Sequence, residues 1–157
     1  MVFMLLAVLA AAANPELARL ERARDAFAKM RLDPSSKESA KLYALKVKAL
    51  KALDEGYAAL EQSSDPAVAV SAFIGDGRAH AAMRRAIHES EIPEAVKRLG
   101  KEAETSYRDS REELAERDGA RARERFGRAH EIARAYGLLE DEIRAAEKEL
   151  IDPSAAK

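Results

Sequence analysis

Apolar residues recur every three or four positions along most of the chain, which is the period of an amphipathic α-helix. In the stretch from residue 14 to 32 the apolar positions are Leu17, Leu20, Ala23, Phe27 and Met30. Asn14 is placed to cap this helix, and Pro15 suits its first position, where no backbone N–H is needed. The pattern predicts a first helix that ends at the Asp33–Pro34 step.

The same period predicts five further helices joined by short linkers, over about 36–62, 66–90, 93–117, 119–136 and 139–150. Ser36 lies near the start of the first of these, and Asp118 is an N-cap candidate that separates the helix over 93–117 from the next. Gly137 is a natural C′ residue. The residues expected to face a core are Leu42, Leu45, Ala49, Leu53, Tyr57, Leu60, Val70, Phe73, Ile74, Met83, Ile87, Val96, Leu99, Ala103, Tyr107, Leu114, Ala122, Phe126, Ala129, Ala133, Leu139, Ile143, Ala146 and Leu150.

Two glycines interrupt the predicted helix over 66–90, in the sequence Gly75-Asp76-Gly77. A pair of glycines costs about 2 kcal/mol relative to alanine in a helix interior. We therefore expect a kink, a tight helix crossing or a break at this point.

Composition agrees with an all-α fold. Helix-forming residues dominate, while the 157 residues include 7 glycines, 5 prolines and 5% aromatics. The length suits one domain, which we place at 14–150, with a frayed tail over 151–157. Lys and Arg number 27 against 28 acids, so no global field favours nucleic acid or an anionic membrane. Cysteine is absent, which excludes disulfides, thiol nucleophiles and cysteine-ligated metals.

Residues 1–13 carry no charged side chain and end in small residues before Asn14. The segment is too short to span a bilayer as a helix, which takes about 20 residues. It fits a secretory signal cleaved near residue 14, although no Lys or Arg precedes its apolar run. We expect a periplasmic or secreted protein that touches a membrane only through this segment if it is uncleaved. The alternatives are a buried first helix and a cytoplasmic location.

Small and aromatic residues alternate in a characteristic way at Ala122, Phe126 and Ala129, and more weakly at Ala23, Phe27 and Met30. This spacing resembles the second helix of a tetratricopeptide (TPR) repeat, and the likeness extends over most of 14–150. The Trp, Leu-Gly and Tyr signature of the first repeat helix is missing before Ala122, and the repeat length drifts. The resemblance implies antiparallel helical hairpins stacked as a short solenoid, and a compact helical bundle is the alternative.

The order of motifs from Asp65 to Gly137, "DPAVAVSAF…G…EIPEAVKRLGKEAETSY…A…F…A…A…YG", is similar to the carboxy-terminal part of TPR-like envelope and gliding-motility proteins of δ-proteobacteria. That resemblance implies a non-catalytic scaffold within an envelope complex. Such families are usually longer than this chain, so the number of repeats stays open.

Side chains suited to chemistry do not form a catalytic pattern. His80, His88 and His130 form no HxxxH or ExxH pair, and His80 and His88 are about 12 Å apart along one helix. We interpret the histidines as surface or partly packed residues, and the acid pairs of the helices as solvated ion-pair faces. No enzyme activity, metal or cofactor is expected.

Residues 117–134 contain six arginines and three acidic residues. An acidic segment follows, so the stretch does not have the charge of a nucleic-acid reader. We interpret Arg121, Arg125 and Arg128 as part of an ion-pair face or a docking surface for a protein or peptide, to which Tyr43 and Tyr57 are further candidates.

Two functions compete on these grounds. The first is a helical scaffold that binds a protein or peptide in a groove between helices. The second is a small-ligand or regulatory bundle, less readily an enzyme, with a pocket lined by Tyr43, Tyr57, Tyr107 and His80. A polar-lined cavity would favour the second, and an open concave surface with exposed Tyr and Leu would favour the first.

Overall fold

A computed structural model describes residues 14–33, 38–138 and 140–151. These ranges contain six helices and no strand: α1 Pro15–Ala28, α2 Ser39–Glu61, α3 Pro66–Glu89, α4 Glu94–Lys97, α5 Lys101–Tyr136 and α6 Asp141–Ile151. The all-α prediction is confirmed. The expected signal segment, Ser36, Leu139 and the tail from 152 lie outside the described residues. None of the six helices is long and apolar enough to cross a membrane.

Helix α1 begins as the sequence predicts and packs antiparallel to α2. The Asn14 side chain accepts hydrogen bonds from the backbone N–H groups of Glu16 and Leu17. Leu20 lies against Gly56 of α2, where a Cβ would come within 2.5 Å of the leucine methyl. The absence of a side chain at Gly56 therefore allows the two helices to approach closely.

Helix α3 is central, since it contacts α1, α2, α5 and α6. One apolar cluster lies between α1, α2 and α3, and a second lies between α3, α5 and α6. The α3 residues expected in the core are all buried: Val70, Phe73, Ile74, Met83 and Ile87. Because both clusters include α3, this helix is buried along most of its length.

The glycine pair of α3 marks a tight crossing, one of the three alternatives expected, and the helix runs through it unbroken. A Cβ on Gly75 would lie 2.5 Å from the Tyr57 ring of α2. A Cβ on Gly77 would collide with the Phe126 ring of α5. The two glycines thus make room for one aromatic ring on each side of α3.

The boundary predicted at Asp118 is wrong, because α5 continues from Lys101 to Tyr136. Asp118 does not cap a helix; its carboxylate contacts His80. The break occurs earlier, at Gly100, whose φ of +97° separates the short α4 from α5. A helical hairpin is therefore absent at residue 118. The C-terminus of α5 is as predicted, since Gly137 is left-handed with φ +65°.

Small residues give α5 its packing face, formed by Ala115, Gly119, Ala122, Phe126, Ala129 and Ala133. Burial of Ala122, Phe126 and Ala129 is as predicted. Tyr107 and Leu114, predicted on a separate helix, belong to α5 as well, and Phe126 packs against Gly77 of α3. Ahead of Ala115, α5 has no buried residue.

The buried residues of α2 are Lys46, Leu50, Leu53 and Tyr57, of which only Leu53 and Tyr57 were expected. Leu45 is 54% exposed, and Lys46 is fully buried next to it. Lys46 Nζ donates hydrogen bonds to the carbonyls of Phe27 and Met30, at 2.8 and 2.6 Å. The lysine thereby satisfies carbonyls at the C-terminal end of α1, an arrangement that apolar periodicity does not reveal.

Helices α2 and α5 run parallel on one side of α3 and antiparallel to it. Tyr43 lies near Tyr107 and Leu114, and further along Glu61 lies near Arg125. We call the space between α2 and α5, above α3, the trough.

Candidate functional site

One end of the trough is an open apolar groove of about 400 Å³. Its residues come from the loop after α1, from α2, from the end of α3 and from the first half of α5. They are Leu32, Asp33, Ser39, Ala40, Tyr43, Ile87, Ser90, Pro93, Tyr107, Ser110, Arg111 and Leu114. The lining is mainly apolar, with serines and two charged residues among it.

The walls of the groove are exposed side chains on regular helices. Tyr43 and Leu114 are each 38% exposed, whereas Ile87 between them is buried. Arg111 Nη2 donates a 2.6 Å hydrogen bond to the His88 carbonyl at the end of α3. This bond ties the first half of α5, which has no buried side chain of its own, to the end of α3.

The other end of the trough is filled by charged side chains, centred on the buried His80. Its Nδ1 lies 2.8 Å from Asp118 Oδ1 on α5. Its Nε2 lies 3.3 Å from Asp54 Oδ1 on α2 and 4.0 Å from Asp76 Oδ1, one turn earlier on α3. His80 therefore connects the three helices.

Two arginines of α5 cover these acids. Arg125 Nε lies 2.7 Å from Asp76 Oδ2, and Arg121 Nη1 lies 3.9 Å from Asp54 Oδ2. Each aspartate thus turns one oxygen towards an arginine and the other towards His80. The charged cluster, as we use the term, comprises Asp54, Glu61, Asp76, His80, Asp118, Arg121 and Arg125.

Burial and mutual repulsion perturb the acids of the charged cluster. Burial, with a contribution from the Asp54 charge, raises the pKa of Asp76 to about 7. Burial raises the pKa of Glu61 as well. Burial alone would lower the pKa of His80, but the hydrogen bond to Asp118 and the interactions with Asp54 outweigh it and raise that pKa to about 9. The histidine thus favours a positive charge among several carboxylates.

The predicted docking residues do not form one surface. Tyr43 lies in the groove, but Tyr57 is fully buried and its hydroxyl donates to Glu21, so its assignment to a docking surface is wrong. Arg121 and Arg125 reach into the trough, whereas Arg128 pairs with Glu131 on the solvent side of α5, 2.5 Å apart.

The alternative pocket of Tyr43, Tyr57, Tyr107 and His80 does not exist as one site. Tyr43 and Tyr107 share the groove, and the other two residues are buried elsewhere. The interpretation of the histidines as surface or partly packed residues is wrong for His80, which is 1% exposed.

The charged cluster was missed at the level of sequence, although a signal for part of it exists. Asp76 and His80 are four residues apart and therefore share a helix face. Asp54 and Asp118 belong to other helices, and their approach depends on how α2 and α5 cross α3. Spacing in the sequence could therefore have predicted only the contact between Asp76 and His80.

No protein-family model, curated protein or solved structure matches this chain.

Proposed function

We propose that the protein is a non-catalytic helical scaffold that binds a partner protein through the apolar groove of the trough. The observation that carries the proposal is a concave surface of apolar side chains left open between two helices. Tyr43 and Leu114 expose more than a third of their surface there, although both lie beside a buried core. Exposed apolar surface of this kind marks binding sites in proteins.

The partner that fits best is an amphipathic helix. The groove is bounded by two parallel helices, and Val47, one turn beyond Tyr43 on α2, is also exposed. A helix laid between α2 and α5 would bury its apolar stripe on Tyr43, Tyr107 and Leu114. Arg111 at the groove offers a positive charge to an acidic residue on the rim of the partner helix.

A small apolar ligand is the second candidate, and the volume of the groove favours it. Ligand pockets usually measure about 300–1,000 Å³, and the groove falls in this range. Tyr43 and Tyr107 would then present hydroxyl groups to the ligand. The partial exposure of the walls argues for the larger occupant, because drug-sized ligands are mostly enclosed.

The same proposal places the scaffold in the bacterial envelope as a TPR-like protein. Support comes from the uncharged segment over 1–13 and from the resemblance of the motif order in 65–137. The antiparallel packing of α1 on α2 supports the helical-hairpin part of this arrangement. Sequencing the amino terminus of the mature protein tests the location: a start near Asn14 supports export, and retention of Met1 in the cytoplasm contradicts it.

Site-specific photo-crosslinking tests the groove directly. A benzophenone amino acid at Tyr43 should form adducts with a partner protein in the native host. The same substitution at Tyr136 is the matched control, because this tyrosine is exposed at the far end of α5. Leu114→Glu should abolish the adducts at Tyr43 without unfolding the chain.

Three results would contradict the scaffold proposal. They are equal crosslinking from Tyr43 and Tyr136, adducts that survive Leu114→Glu, and no protein adduct from Tyr43. Native mass spectrometry that finds a small apolar molecule released by Leu114→Glu would support the second candidate instead.

A further inference from the structure

We propose that the charged cluster contains a binding site for a divalent transition metal, with Asp54 Oδ1, Asp76 Oδ1 and His80 Nε2 as its ligands. The inference concerns the closed end of the trough and does not depend on the proposed function of the groove. Two carboxylate oxygens and one imidazole nitrogen are a donor set typical of Zn²⁺.

The separation of the ligand atoms fits one ion. All three lie within 4.8 Å of one another. Ligands at about 2.0–2.1 Å from a tetrahedral Zn²⁺ lie about 3.3 Å apart. His80 Nε2 and Asp54 Oδ1 already have this separation, at 3.3 Å, and Asp76 Oδ1 is 4.0 Å from the same nitrogen. A bound ion would draw Asp76 Oδ1 closer to the other two ligand atoms.

The oxygens in question are buried without a hydrogen-bond partner. Asp76 has no exposed surface, and its Oδ1 accepts no hydrogen bond. Asp54 Oδ1 is also buried and accepts no hydrogen bond of good geometry, although the Asp54 side chain as a whole is 28% exposed. Buried carboxylate oxygens normally have partners, because leaving such an atom unsatisfied costs free energy. One ion could satisfy both oxygens and the imidazole nitrogen that they face, in place of the proton on that nitrogen.

The surroundings hold each ligand in a geometry suited to a metal. Asp118 accepts a hydrogen bond from His80 Nδ1, which leaves Nε2 free to coordinate when the ring is neutral. A carboxylate behind a metal-bound histidine is a common arrangement in metalloproteins. Arg125 and Arg121 bind the Oδ2 atoms of the two aspartates and so leave the Oδ1 atoms for the ion.

Charge balance permits a divalent ion. Four carboxylates, those of Asp54, Glu61, Asp76 and Asp118, surround two guanidinium groups, so the charged cluster has two excess negative charges when the acids are ionised and His80 is neutral. One divalent cation cancels this excess. Two protons, one on His80 and one on an acid, would cancel it as well, so the ion and the protons compete for the charged cluster.

The site joins helices rather than loops. Asp54 belongs to α2, and Asp76 and His80 belong to α3, so the ion would fasten one wall of the trough to its floor. Asp118 extends the connection to α5. With three ligands from the protein, water would complete the coordination of Zn²⁺ from the side of Asp54, whose side chain is the most exposed of the three.

Zinc titration of the full chain tests the site. We expect one Zn²⁺ per chain by isothermal titration calorimetry and a higher melting temperature in its presence, because an ion that binds only the folded state stabilises it. His80→Gln and Asp76→Asn should each remove this binding. The matched controls are His88→Gln and His130→Gln, since both histidines also contact carboxylates.

Asp118 positions the His80 ring and is not itself a ligand, so its replacement should weaken zinc binding without abolishing it. Asp118→Asn should keep the one-to-one stoichiometry and weaken the affinity by about 10–100-fold, as loss of a partner behind a metal-bound histidine does. Unchanged zinc affinity in this variant would contradict the assigned orientation of the imidazole.

NMR of the wild-type chain avoids the risk that a ligand variant fails to fold. With Co²⁺ as the probe, the imidazole signals of His80 should shift or broaden at one equivalent, well before those of His88 and His130. Zinc binding that is lost in His130→Gln or His88→Gln, cobalt effects that begin at those residues, or no binding by the wild type would overturn the proposal.

Discussion

The two ends of the trough are built from the same three helices and have opposite properties. At one end Tyr43 and Leu114 leave an apolar groove open to solvent. At the other end Arg125 lies over buried acids and closes the space between α2 and α5. The same three helices form both ends. The side chains between α2 and α5 therefore decide whether the space is filled or open.

The difference follows from the packing face of α5. Its second half places alanines, Gly119 and Phe126 directly on α3, so its arginines reach α2. Its first half has no buried side chain and is held by Arg111 instead. The variants below test whether the closed end is a source of stability and the open end is free to serve binding.

The largest effect is expected at Phe126. Phe126→Ala should lower the free energy of unfolding by about 3–5 kcal/mol, because a fully buried ring is removed. Urea denaturation monitored by circular dichroism measures this change. Gly77→Ala should be harmful in the wild type, where the new methyl meets the ring, and tolerated in Phe126→Ala. A loss below about 1 kcal/mol would mean that the ring is not a packing anchor.

The next largest loss of stability is expected at Arg125, which lies over the buried acids of the charged cluster. Arg125→Met should cost about 2 kcal/mol, since it leaves the Asp76 carboxylate buried without its cation. Adding Asp76→Asn should recover most of that loss by removing the charge. Arg128→Met is the matched control and should change stability by less than about 0.5 kcal/mol, because its pair with Glu131 is exposed. Equal losses for Arg125 and Arg128 would contradict this account of the closed end.

A smaller effect is expected at Lys46, on the face of α2 that packs against α1. Lys46→Met should cost about 1–2 kcal/mol, because the carbonyls of Phe27 and Met30 lose their donor. Lys46→Arg is a control that keeps the positive charge. A thermal melt of Lys46→Met that equals that of the wild type would show that these carbonyls find other partners.

Lys46 also predicts how stability depends on pH. Burial lowers the pKa of Lys46 to about 8 from its ordinary value of 10.5. Between these values the unfolded chain binds more protons than the folded one, so the free energy of unfolding should increase with pH. Below pH 8 both states are protonated and the contribution is constant. The raised pKa of His80, about 9, acts in the opposite direction between pH 6.5 and 9, so the test compares two chains. From pH 8 to 10 the free energy of unfolding of the wild type should rise relative to that of Lys46→Met, and equal pH profiles of the two chains would exclude Lys46 as a cause.

The smallest effect on stability is expected in the groove itself. Leu114→Gln should lower the free energy of unfolding by less than about 1 kcal/mol, because the side chain is partly exposed. Leu99→Gln is the control, since Leu99 is 77% exposed and outside the groove. A loss at Leu114 comparable with that at Phe126 would mean that the groove is part of the core.

Much of the fold was predictable, because helical periodicity depends on local sequence. The cap at Asn14, the left-handed Gly137 and the core face of α3 all follow from such signals. The helix boundary predicted at residue 118 was wrong because an aspartate can either cap a helix or bind a buried histidine. Only the packed structure distinguishes these two roles of Asp118.

The candidate sites were less predictable than the helices. Tyr43 lies in the groove, whereas Tyr57, predicted for the same docking surface, fills the space beside Gly75. The charged cluster combines residues far apart in sequence, so its existence depends on the crossing of three helices. The burial of Lys46 was not predictable either, since a hydrophobicity pattern places a lysine at the surface.

The unbroken length of α5 has a mechanical consequence. A helix of 36 residues is a rod of about 54 Å, and its first 14 residues, about 21 Å, precede the first buried position at Ala115. The Arg111 bond to the His88 carbonyl ties this part to α3 and leaves about 15 Å of helix between the bond and Lys101. A tilt of about 5° about that bond would move the Lys101 end by about 1 Å and Tyr107, one turn from the bond, by only about 0.5 Å. The wall of the groove is therefore stiffer than the helix end that precedes it.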